Sequence, residues 1–243
     1  MKSSAIGLVS VVSCLMTTTV HASLIAQWNN DDLAASATSA SADFVEDGLS
    51  VSTLALGAGL NGAVAWPNAI GAFANALPTS LSSSLSGNRY FSFTVTPDVE
   101  TQISFDDVFI RLAINTGNIA VDNVISFNLF SDATGLNDGD QLGSYLLTRA
   151  AGSSAVISGT TTFDLSSVLD LQNVDSAVQF RVYAFQQSGT GNRMAIGVPF
   201  ATDGLADLSV NGTISVGPEP TSVSLFGLAC VIAMGFRKTR SRR

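Results

Sequence analysis

The run Arg89-Tyr90-Phe91-Ser92-Phe93-Thr94-Val95-Thr96 alternates at every step: Phe91, Phe93 and Val95 share one face with Arg89, and Ser92, Thr94 and Thr96 share the other with Tyr90. A period of two marks a strand with one buried face, and aromatic and β-branched residues suit a pleated surface. The pattern repeats outward from this run. Val108, Ile110, Leu112 and Ile114 fall together, as do Ile125, Phe127 and Leu129, and then Val178, Phe180, Val182 and Ala184. Weaker versions occupy 24–28, 49–56, 101–106, 142–149, 160–165, 193–199 and 206–216. Turn residues separate these runs at Thr116-Gly117-Asn118, Asn137-Asp138-Gly139-Asp140, Ser188-Gly189-Thr190-Gly191-Asn192 and Thr202-Asp203-Gly204. About eleven short strands with no long helical pattern predict an all-β fold, an antiparallel β-sandwich of jelly-roll type. Residues 63–88, rich in Ala, Ser and Asn, read as a long loop with a helical turn near 69–76.

The two ends differ from this middle. Residues 1–22 have the layout of a secretory signal peptide: Lys2, an apolar stretch from Ala5 to Met16, and Val20-His21-Ala22 with cleavage after Ala22. Val11-Val12-Ser13-Cys14 loosely resembles a lipobox, which leaves a lipoprotein signal as the alternative. At the other end, residues 217–243 begin with Gly217-Pro218-Glu219-Pro220, whose prolines suit an extended linker rather than a strand or helix interior. An apolar run over 223–236 follows, then five cations in the last seven residues: Arg237, Lys238, Arg240, Arg242 and Arg243. Fourteen apolar residues are short for a bilayer but can span with tilt and local thinning, and the cations act as a stop-transfer cluster that stays cytoplasmic. The expected organisation is a signal peptide over 1–22, an exported domain over 23–216 and a tail with a single transmembrane helix over 217–243.

The exported segment carries eighteen carboxylates against five arginines and no lysine, a net charge of −13 compared with −8 for the whole chain. Such a body repels phosphate backbones, so nucleic acid is a poor partner. Cys14, Cys230 and His21 all lie in the two ends, so residues 23–216 contain neither cysteine nor histidine. Without them no Ser-His-Asp triad, Cys-His pair, His-ligated zinc or thiolate cluster can be assembled from the exported segment.

The order Pro218-Glu219-Pro220, apolar helix, Arg-rich end resembles the PEP-CTERM sorting signal of exported proteins of Gram-negative, exopolysaccharide-producing bacteria. The resemblance implies that an exosortase-type membrane enzyme recognises Pro218, Glu219 and Pro220. The helix would then hold the precursor in the inner membrane until the protein is passed to the cell surface or extracellular matrix. Several cues in the exported segment are also similar to a recurrent β-sandwich domain of such proteins, related to lectin-like and carbohydrate-module jelly rolls. They are Gln27-Trp28, the run from Arg89 to Pro97, Val178-Gln179-Phe180-Arg181-Val182-Tyr183 and Ala206-Asp207-Leu208-Ser209-Val210-Asn211-Gly212.

Candidate sites are few. Asp132, Asn137, Asp138 and Asp140 gather oxygen ligands of the kind calcium takes, though Asx-Gly sequences also form plain hairpin loops. Trp66, beside Pro67 in the irregular segment, is the aromatic best placed for stacking on a sugar; Trp28 and the tyrosines are expected to pack the sandwich or its rim. Adjacent pairs such as Asp31-Asp32 and Asp106-Asp107 point to opposite faces of a strand and do not form a catalytic dyad. The leading reading is a non-enzymatic surface or matrix protein with a structural or adhesive role linked to exopolysaccharide or biofilm, without a resident cofactor. The alternative is a lectin-like carbohydrate-binding module, with or without calcium. The tail reading has a direct test. A full-length chain tagged at its C-terminus, expressed in a host with the sorting machinery, is expected to lose its tag; unchanged processing after alanine replaces Pro218, Glu219 and Pro220 together would rule the sorting role out.

Overall fold

The computed structural model describes residues 22–63, 65–73, 77–116, 120–153, 156–189 and 191–216. Ala22 is exposed at the head of the first strand; the rest of the expected signal peptide and the whole tail, with its helix and stop-transfer cations, lie outside the described residues. In chain order the elements are β1 (Ser23–Trp28), β2 (Ser39–Ala40), β3 (Phe44–Val45), β4 (Leu49–Val51), β5 (Leu54–Leu56), β6 (Asn61–Ala63), β7 (Ile70–Phe73), α1 (Leu81–Ser86), β8 (Tyr90–Pro97), β9 (Thr101–Thr116), β10 (Asn123–Ser131), β11 (Gly143–Arg149), β12 (Ile157–Asp164), β13 (Val178–Ser188), β14 (Gly191–Ile196) and β15 (Leu208–Val216), with a 3-10 turn at Leu169–Leu171 between β12 and β13.

The strands form two sheets, paired antiparallel throughout the described residues. One has eight strands in the order β3-β1-β15-β9-β14-β7-β6, with β12 on the far edge of β9; the other has seven in the order β11-β10-β13-β8-β5-β2, with β4 also on β8. This is the antiparallel sandwich that the alternation predicts. The opening run becomes β8, buried at every second residue through Phe91, Phe93 and Val95. Rings join the two layers: Phe93 and Phe180 stack with centroids 5.2 Å apart, Trp28 of β1 tilts onto Phe93 at 5.1 Å, and Phe105 of β9 meets Phe180 edge-on at 5.1 Å.

The structure departs from the expected elements in three places. Residues 101–106 and 108–114 are one sixteen-residue strand, β9. Its buried residues shift phase, from Ile103 and Phe105 to Val108 and Ile110, because a β-bulge intervenes. Asn211 of β15 faces Asp107 while Gly212 faces Phe105, leaving Asp106 without a cross-strand partner on β15. A Cβ at Gly212 would collide with the Ser104 carbonyl, so glycine is required there. The helical turn expected near 69–76 is instead strand β7, and the helix forms later, at Leu81–Ser86. Its serines are poor helix formers. One local and one distant bond hold it: Ser80 caps Ser83 N, and Ser84 Oγ donates to the Ala184 carbonyl of β13 at 2.8 Å. Finally, 49–56 splits into β4 and β5 around Ser52 and Thr53, both exposed.

With no cysteine between residues 23 and 216, the ring contacts have to carry stability without a disulfide. Phe93→Ala is expected to lower the unfolding free energy by about 3–5 kcal/mol in urea denaturation, while Leu169→Ala, at an 84% exposed position, should change it by less than about 0.5 kcal/mol. Equal effects at the two positions would contradict the packing described.

Candidate functional site

Trp66 does not stand free for stacking: it is only 4% exposed and packs with Ala69, Ala113 and Ala195, Val156 lying against them. Ala113 and Ala195 alternate with the core residues Leu112, Ile114, Met194 and Ile196, so they face away from the core. Their small side chains leave room for an indole, and the Phe200 N–H donates to the Pro67 carbonyl at 3.2 Å beside it. The ring therefore covers the outer surface of the eight-stranded sheet.

The oxygen-rich loop joins β10 to β11, and its side chains serve its own backbone. Asp132 Oδ1 accepts from Gln179 N at 2.8 Å, and Asp140 Oδ2 accepts from Asn137 N at 2.8 Å and Asn137 Nδ2 at 2.9 Å. Asp138 is exposed. Among the described residues no three histidine, cysteine or acidic side chains group closely enough to hold a metal ion.

The tightest electrostatic cluster was not singled out by the sequence. On one edge of β9, the end of β14 and the start of β15 meet at Arg111, whose N–H donates to the Asp207 carbonyl (2.8 Å) and whose carbonyl accepts from Gly197 N (2.9 Å). The Arg111 guanidinium grips Asp203 through two hydrogen bonds of 2.9 and 2.6 Å and lies 3.5 Å from Asp207. Asn30 N donates to Asp207 Oδ2 at 2.9 Å, Gly204 N to Asp31 Oδ2 at 2.7 Å, and Asn68 Nδ2 to the Ala201 carbonyl at 2.7 Å. The hydrogen bond from Arg111 pulls the Asp203 carboxyl down to about 2. Burial pushes the Asp207 carboxyl up to about 6, against the opposing bond from Asn30 and the nearby guanidinium. These carboxylates are committed to holding the 197–207 connection onto the sheet.

The outward face of the seven-stranded sheet has a different character. Cross-strand register places Tyr183 between Tyr90 and Asn128, Arg181 between Ser92 and Phe130, and Gln179 opposite Thr94. Farther along, Ser126 sits between Phe185 and Leu146, and Asn128 faces Ser144. Arg181 is held from three sides: Nε donates to Gln179 Oε1 at 2.7 Å, Nη1 donates to Tyr183 Oη at 3.3 Å, and Cζ stands 4.7 Å over the Tyr90 ring. Tyr90 meets Tyr183 edge-on at 5.2 Å, and Phe130 meets Tyr183 at 5.5 Å. A Cβ at Gly57 would come within 2.9 Å of the Tyr90 ring, so the bare backbone there makes space for it. Tyr183 and Phe130 are buried despite facing outward, and Asn128 Nδ2 is buried with no hydrogen-bond partner.

No aspartate or glutamate occupies an outward position of β8, β10, β11 or β13, and Arg181 is the one charge among them. Asp132, just past β10, is turned onto Gln179 N. Tyr90 and Tyr183 were among the aromatics noted in the sequence, but Arg181 and Gln179 were missed. The available signal was two alternating runs, 90–96 and 178–184, whose polar faces both lack acids in a strongly acidic chain.

No protein-family model matches the chain, and no curated protein matches it. Among solved structures, a carbohydrate-binding module specific for non-crystalline cellulose overlaps with a TM-score of 0.41 and 14% identity, covering 72% of this chain and 91% of that one. An arabinose-bound α-L-arabinofuranosidase gives 0.34 and 12%, covering 78% of this chain but only 27% of the enzyme. A module in complex with a β-1,4-linked galactotriose gives 0.26 and 10%, covering 68% and 88%. Overlaps this shallow carry no argument about what this chain binds.

The Asp207 carboxyl makes the cluster at Arg111 pH-dependent. Its pKa is higher folded than unfolded, so between about pH 4 and pH 6 the folded state holds the extra proton and stability falls as pH rises. Asp203 and Asp164 are shifted downward, so their stabilisation is lost only in stronger acid, below this window. Asp207→Asn should therefore gain stability relative to the parent chain between pH 4 and pH 6.5, read from paired urea midpoints; a constant difference across that range would refute the burial argument.

Proposed function

We propose that the exported domain is a non-catalytic carbohydrate-binding module that engages exopolysaccharide through the outward face of its seven-stranded sheet. The observation that carries this reading is the composition of that face. In a segment with eighteen carboxylates, these four strands present outward rings, amides, hydroxyls and one guanidinium, and no acid. Sugars offer apolar C–H faces alongside hydroxyls that both donate and accept. They are met by aromatic surface next to planar multidonor groups, the combination that the part-exposed Tyr90, Gln179 and Arg181 provide, with the buried Tyr183 packed edge-on behind Tyr90. The carboxylates that do gather, Asp31, Asp203 and Asp207, are engaged by Arg111 and by loop N–H groups, which supports binding rather than hydrolysis. Asp132 and Asp140 bond to their own loop and to Gln179, so binding is proposed to need no calcium.

The ends of the chain complete the proposal on sequence grounds. A signal peptide exports the domain, and an exosortase-type enzyme acting at Pro218-Glu219-Pro220 delivers it to the surface or matrix where such polysaccharide accumulates. The test is calorimetric titration of the purified full-length chain with a panel of plant and bacterial oligosaccharides, with and without EDTA. Saturable binding that survives EDTA and weakens about tenfold or more in Tyr90→Ala is expected, since each tenfold corresponds to about 1.4 kcal/mol of lost contact. Absence of binding across the panel, or binding untouched by Tyr90→Ala, would reject this face as the site.

A further inference from the structure

We infer that the saccharide recognised by this face is acidic, and that Arg181 holds the carboxylate of a uronic acid residue; the inference rests on the carbohydrate-binding reading above. An arginine has five N–H donors in a planar fork matched to a carboxylate. In Arg181, Nε is committed to Gln179 and one Nη1 hydrogen to Tyr183, while Nη2 has no protein acceptor among the described residues. Among the described residues no ion pair joins Arg181 to an acid, whereas Arg111 pairs with both Asp203 and Asp207. Its cross-strand neighbours are Ser92 and Phe130, neither ionisable, and Asp132, just past the end of β10, is bonded to Gln179 N.

An unopposed guanidinium is unexpected in a segment where acids outnumber arginines eighteen to five. The bonds from Arg181 to Gln179 and Tyr183 and its stack on Tyr90 orient the fork before any ligand arrives, which limits the rotamer entropy lost on binding. The net −13 of the segment opposes a polyanion at long range, but at physiological ionic strength that repulsion is screened beyond about 8 Å. A carboxylate in contact with Arg181 lies inside that distance and gains the charge-assisted bonds in full.

The experiment compares three probes on the purified full-length chain at about 150 mM salt: oligogalacturonate, the same oligomer with its carboxyls methyl-esterified, and a neutral galactan of matched length. The expected result is binding of oligogalacturonate at least about tenfold tighter than either neutral probe, with the preference lost in Arg181→Gln. Ser92→Asp supplies a second variant that keeps the arginine and places a carboxylate directly across from it; it should abolish the preference while leaving neutral-sugar binding in place. Equal affinity for charged and neutral probes, or a preference that persists in both variants, overturns the inference and leaves the carbohydrate-binding reading standing. No binding of any of the three probes, or of any sugar in the wider panel, removes both.

Discussion

The sandwich depends on one contact between its layers: Trp28 and Phe105 of the eight-stranded sheet close onto Phe93 and Phe180, a stacked cross-strand pair of the seven-stranded sheet. Four rings from four strands contribute more buried apolar area than any comparable set of aliphatic residues, and their centroid spacings lie in the range where ring pairs add to simple burial. Residues 23–216 contain no cysteine and so no covalent staple, and this contact and the aliphatic layer around it must offset the chain entropy of folding. The same strands that present Phe93 and Phe180 inward present Thr94, Gln179 and Arg181 outward. The core thereby sets the spacing of the proposed binding face.

Strand β9 is the second organising element. Its length lets it accept β15 and then β14 along one edge and β12 along the other, and the bulge at Asp106 corrects the phase of its side chains partway along. Arg111 stands where β14 and β15 meet and ties their connection to the sheet through Asp203 and Asp207. Acids and cations are thus separated by role. Arg111 is engaged by two carboxylates and holds the fold, whereas Arg181, on the opposite layer, pairs with none among the described residues.

Much of the architecture was legible in the residues because period two is local. The runs at 89–96, 125–129 and 178–184 declare their buried faces without reference to any partner, and they became β8, β10 and β13. Two-residue strands such as β2 and β3 are too short to show any period, and they exist only because β5 and β1 offer them an edge. The bulge in β9 read as a gap between two strands, since a phase shift and an interruption look alike in one dimension. Trp66 was misjudged for a related reason: its cover comes from Ala113 and Ala195, far away in the chain and individually unremarkable.

The sequence alone determined that the fold is all-β, that residues 23–216 are acidic and lack histidine and cysteine, and that the two ends of the chain differ in kind from its middle. These properties are sums or periods, carried by each stretch independently of the rest. The proposed binding face was decided only by the tertiary structure. Tyr90 and Tyr183 meet across a strand pair formed by segments far apart in the chain, and Asn128 joins them from a third. Side-chain alternation states which residues leave a strand together, but pairing and register determine what they meet. That is why an arginine inside an ordinary strand pattern became the one unopposed charge on its face only after the sheet was assembled.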